Sequence, residues 1–85
     1  NKMSKVVSAV IVRGQSCYGQ PDQVYLYDEM GGHVNSICVS RPLQAYVTGN
    51  RVVILREDYN GSKIIVQDVY DAYNSNMMIS TSVVG

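Results

Sequence analysis

Two cysteines, one histidine and two similarly placed aspartates are the residues of this 85-residue chain whose chemistry could go beyond packing. Cys17 and Cys38 form no Cys-x-x-Cys and lack the short paired spacing of a zinc site. They allow either one disulfide or two free thiols. A bridge would close a loop of about 20 residues and contribute roughly 3 kcal/mol by restricting the unfolded chain. A thiol nucleophile needs a base within hydrogen-bond reach, and His33, beside Gly31-Gly32, reads instead as a solvated turn residue. Asp28 and Asp71 follow Tyr27 and Tyr70. Paired carboxylates can move protons, yet repetition within the chain explains these two, each ending a strand and bonding a turn amide. No glycine-rich cradle leads a strand into a helix, so nucleotide binding has no carrier. The residues predict a protein that is not an enzyme.

The elements that would hold them are strands. Val6 to Val12, Val24 to Tyr27, Val34 to Val39, Ala45 to Val47, Val52 to Leu55 and Ile64 to Val69 are rich in β-branched residues. Between them fall Gly14, Gly19 with Pro21, Gly31-Gly32, Arg41-Pro42, Gly49-Asn50 and Asn60-Gly61, which read as turns. Asn60-Gly61 is the sharpest of these, because a two-residue hairpin turn wants positive φ at both positions. No stretch sustains helical spacing, so the class is all-β. Short connections leave antiparallel pairing as the practical choice.

The chain also says nearly the same thing twice. Ala9-Val10-Ile11-Val12-Arg13, Tyr18-Gly19 and Val24-Tyr25-Leu26-Tyr27-Asp28 are answered by Val52-Val53-Ile54-Leu55-Arg56, Asn60-Gly61 and Gln67-Asp68-Val69-Tyr70-Asp71. The strands are offset by 43 positions (9 to 52, 24 to 67) and the glycines by 42 (19 to 61). Two such copies suggest one domain over 1–85, with approximate halves 1–47 and 48–85. The expected architecture is a small antiparallel Greek-key β-sandwich of two similar halves. The alternative is two β-propeller-like blades, which could not close alone and would have to assemble.

Composition narrows the partners. Seven basic and seven acidic residues cancel with no basic run, so a phosphate-tracking surface and nucleic acid are not expected. The apolar runs are far too short to span a bilayer, so no membrane partner is expected. Trp and Phe are absent and Tyr occurs seven times, which suits a thin core with wet edges. No secretory leader is read, and the compartment stays open. A monomer is expected.

Glu57-Asp58-Tyr59-Asn60-Gly61 resembles the acidic-aromatic-x-Gly hairpin of the βγ-crystallin Greek key. Asn76-Met77-Met78-Ile79-Ser80-Thr81 is similar to the polar-polar-x-x-Ser-Ser calcium loop of that family, and Ser16-Cys17-Tyr18-Gly19 resembles a second hairpin. The resemblance implies a noncatalytic structural or stress role and a weak calcium site. Asn76, Ser80 and Glu57 are its candidate ligands, while Met77 stands where the family supplies a ligating oxygen. Calcium wants six to eight oxygens, so this sparsely charged set would bind at about 0.1–1 mM or weaker. Without calcium, Asn74-Ser75-Asn76 reads as an ordinary turn. Two further functions compete: a secreted inhibitor or toxin-like module presenting a loop to a protein, favoured by a Cys17–Cys38 bridge, and a propeller fragment that oligomerises to bind ligands.

Overall fold

The structure, a computed structural model, describes residues 4–85. Its strands are β1 (Ser8–Val12), β2 (Asp22–Tyr27), β3 (His33–Val39), β4 (Pro42–Thr48), β5 (Arg51–Asn60), β6 (Ser62–Asp71) and β7 (Met78–Val83). All ladders are antiparallel, in a three-stranded sheet β1-β2-β3 and a four-stranded sheet β4-β5-β6-β7. Among the described residues no helix is long and apolar enough to cross a membrane.

Alternation explains how the sheets meet. Successive side chains point to opposite faces, so Val24 and Leu26 of β2 share a face with Ile37 and Val39 of β3. Val52 and Ile54 do the same on β5, and all six join Val6 and Ala72 in one core. A core drawn from both sheets makes this an all-β, sandwich-like molecule and not two blades side by side. Along one border β4 lies beside β1, where Arg13 Nη2 donates to the Pro42 carbonyl at 2.8 Å. The resulting spatial succession β4, β1, β2, β3 is compatible with a Greek key. The chain passes between sheets at Ser40-Arg41, with Arg41 at φ 52°.

The internal repeat has a structural counterpart. The meander β1-β2-β3 in one sheet matches β5-β6-β7 in the other, and β4 is the extra strand. The sheets therefore divide at Ser40-Arg41, so β4 belongs with the second sheet although it falls in the first half of the sequence. Three local expectations are corrected. The first strand starts at Ser8; Val6 precedes it, donates to the Ala72 carbonyl at 2.9 Å and is fully buried. At the β5–β6 tip Asn60 pairs with Ser62 and only Gly61 has positive φ, so the two-residue turn is not formed there. Lastly, the stretch expected to form a loop through Thr81 becomes β7. Met77 N closes a tight turn on the Asn74 carbonyl at 2.9 Å, and the returning chain finds a free edge on β6.

Leu26 is wholly excluded from water between the sheets. Truncation of such a side chain costs both its transfer free energy and the cavity left behind. Leu26→Ala is expected to lower unfolding free energy by about 3 kcal/mol, read from urea unfolding with an unchanged m-value.

Candidate functional site

The β1–β2 ladder ends at Val12↔Gln23, and the nine residues between the two strands form a long tip. Gly14 N donates to Asp22 Oδ1 at 2.8 Å and Gln23 Nε2 donates to the Gln15 carbonyl at 3.1 Å. Further out, Cys17 and Gln20 exchange two backbone hydrogen bonds of 2.8 Å. The two residues between them, Tyr18 and Gly19, have φ of 48° and 82°. Positive φ at both central positions is the twist a two-residue hairpin demands. Gly19 adopts it without cost; Tyr18 must bring its Cβ close to the following carbonyl, at about 1–2 kcal/mol.

A covalent tie keeps this tip from relaxing. Cys17 and Cys38 are joined by a disulfide, their Cα atoms 5.4 Å apart, which fastens the tip to β3. Neither sulfur is then available as a nucleophile. The Tyr18 side chain stands 97% exposed at the apex. No hydrophobic side chain among the described residues is more open to solvent.

Next to the tip the two sheets part. A cleft of about 270 Å³ there is lined by Gln20, Cys38, Arg56, Asp68 and Met78. Asp68 is buried and fully engaged: Arg56 Nε donates to Oδ2 at 2.7 Å, and Thr81 Oγ1 donates to Oδ1 at 2.6 Å. The hydrogen bond to Asp68 is the main reason the Arg56 guanidinium is held above its ordinary pKa. Among the described residues no buried side-chain nitrogen or oxygen lacks a partner. The carboxylate that lines the cleft thus has both oxygens engaged. Tyr70 also borders it; burial, then the nearby Asp68 charge, pushes its phenol above the usual value near 10.

The other sequence-derived candidates lie apart from one another. His33 Nε2 lies 2.9 Å from Ser36 Oγ, and the ring meets the edges of Tyr25 and Tyr27, at the opposite end of β2 from the tip. Asp28 ends its strand and binds turn amides, accepting from Met30 N at 2.9 Å and Gly32 N at 2.8 Å. Asp71 instead faces Arg51 at 4.0 Å. Of the calcium candidates, Asn76 lies in the β6–β7 turn and its Oδ1 accepts from Asn35 Nδ2 at 3.0 Å. Ser80 is on β7 opposite Val69, and Glu57 is on β5 opposite Ile65, paired with Lys63 at 3.3 Å. Ile65 and Val69 are four residues apart on β6, about 13 Å along the strand, so the fold does not bring Ser80 and Glu57 together. Among the described residues no group of three His, Cys, Asp or Glu side chains could hold a metal ion.

Sequence reasoning identified both cysteines and Tyr18-Gly19 but not the apex itself. The signal present was Tyr-Gly directly after a cysteine, a turn pair one residue from a staple. It missed the Asn35 clip to Ser75 and Asn76, which depends on residues about 40 positions apart. Comparison with protein-family models, curated proteins and solved structures returns no match.

Two measurements probe these placements. A raised tyrosine pKa means the folded state holds its proton more tightly than the unfolded chain does. The associated stability is complete below pH 10 and lost as pH rises through the folded value. Unfolding followed from about pH 9 to 12 should show an alkaline loss that Tyr70→Phe reduces. For calcium, scattered ligands predict coincident thermal transitions in millimolar calcium and in chelator. A rise of several degrees in calcium would mean that a site forms after all.

Proposed function

We propose that this chain is a noncatalytic protein-binding module that presents the Cys17–Gln20 tip to a partner protein. The observation carrying this reading is Tyr18, 97% exposed at φ 48° on a turn stapled to β3. Conformational strain of this kind persists where the surroundings over-determine it, often at functional sites. Tyrosine offers a large contact area and a hydroxyl, and is among the residues that dominate binding hot spots. A disulfide-fixed tip loses little further freedom on docking, which raises affinity without added contacts. The bridge also suits an oxidising compartment, such as the cell exterior.

A βγ-crystallin-like structural role is the second reading. It is supported by the recurrence of one three-stranded meander in both sheets. The two readings differ in what they ask of Tyr18, because a structural role needs no exposed apex side chain.

Immobilised wild-type protein and its Tyr18→Ala variant would be presented with the secreted and cell-surface proteins of the source organism. The expected result is a partner retained by the wild type and lost from the variant, with the two equally folded by circular dichroism. Equal retention by both would overturn the reading. Tyr18→Gly should also lose the partner while gaining about 1 kcal/mol of stability from relief of the left-handed strain.

A further inference from the structure

Four sheet borders exist in this fold, and two of them face each other. β1 and β4 lie against each other, and β3 is clipped by Asn35 Nδ2 to Ser75 Oγ at 2.9 Å and to Asn76 Oδ1 at 3.0 Å. The fourth is the outer edge of β7, exposed along its whole length. Proteins ordinarily blunt such an edge with charge, proline or brevity, because its unpaired backbone groups are a template for another strand. Here no Lys, Arg, Asp, Glu or Pro occurs between Asp71 and Gly85. The one irregularity, a bulge near Ile79 where Val69↔Ser80 gives way to Tyr70↔Met78, sits at the start of the strand.

The order of residues on this edge matches a specific occupant. Ile79-Ser80-Thr81-Ser82-Val83 is chemically the same read in either direction: apolar, hydroxyl, hydroxyl, hydroxyl, apolar. An antiparallel pair related by a twofold axis at Thr81 sets Thr81 against itself, Ser80 against Ser82 and Ile79 against Val83. Hydroxyl-to-hydroxyl and aliphatic pairs of this kind support antiparallel ladders. Backbone polarity has the matching phase. Val84 N donates to the Ile65 carbonyl at 2.8 Å, so residues 84, 82 and 80 direct their backbone groups toward β6. By the same alternation, Thr81 and Val83 direct theirs to the open edge. A strand whose like charges would oppose one another could not pair this way; an uncharged one can.

We propose that β7 is a homodimer interface, at which the edges of two copies pair antiparallel about Thr81 and join the two four-stranded sheets into one continuous sheet. The contact is isologous, the same surface on both partners, and lies on a different element from the Tyr18 tip. The dimer therefore presents two copies of that tip.

The proposal is tested with the full chain by sedimentation velocity over a range of concentrations, using two charge variants at the exposed positions. In the stated register Ser80 faces Ser82 of the other copy. Ser80→Lys with Ser82→Lys then sets like charges opposite one another and should weaken association about tenfold or more. Ser80→Glu with Ser82→Lys sets opposite charges together and should leave the dimer intact. Far-UV circular dichroism and thermal midpoints confirm that both variants fold. A wild type that stays monomeric at every concentration overturns the proposal and leaves the edge to a strand from another protein. A dimer that both variants weaken equally, or that neither weakens, overturns the Thr81 register.

Discussion

Exclusion of water between two small sheets is the constraint on which the rest of this molecule depends. The shared interior is made of Val, Leu, Ile and Ala, with Tyr70 at its margin. No aromatic ring is fully buried in this core, so burial comes from the aliphatic faces of two sets of strands closing on each other. At about 25 cal/mol per Å² of apolar surface, each closed face matters to a chain this short. Val6 and Ala72, outside the regular strands, are drawn into the same layer and seal one end of it.

That layer leaves the four-stranded sheet partly uncovered, because only three strands stand opposite it. The uncovered part takes polar chemistry. Arg56, Asp68 and Thr81 meet where the second sheet runs past the first, and each buried oxygen there has a donor. A lone carboxylate in that position would be strongly unfavourable; with a guanidinium and a hydroxyl it is satisfied. Farther along the β5–β6 arm, where no core remains, Glu57 pairs with Lys63 and Arg41 lies 5.1 Å from the centre of the Tyr59 ring. Such surface contacts contribute little to stability.

The disulfide does for the β1–β2 tip what the core does for the strands. The tip lies beyond the ladder and has no apolar layer to rest on, so the bond to Cys38 supplies the anchor. The strained backbone at Tyr18 and the exposure of its ring are both features that a core could not have held in place. The apex and the β7 edge thus belong to different elements, the one held by a covalent bond and the other by backbone pairing to β6.

Much of this was legible in the residues. β-Branched runs fixed the all-β class, because those side chains suit a pleated, half-buried surface. The repeat of Val12-Arg13 and Leu55-Arg56 neighbourhoods marked two equivalent meanders, since like segments make like hairpins. What tertiary structure decided were the relations between distant segments. Ser80-Thr81-Ser82 has too little apolar character to announce a strand, and becomes one because β6 offers unpaired backbone groups. Cys17 and Cys38 left two redox states open until β3 came within 5.4 Å of the tip. Asn76, Ser80 and Glu57 resembled a ligand set by motif, yet register set Ser80 and Glu57 four residues apart along β6. Local sequence determined which segments extend and where they turn, because those preferences act over a few bonds. Which edges, sulfurs and side chains meet was decided by the closing of the two sheets, because pairing and burial join residues that the chain holds far apart.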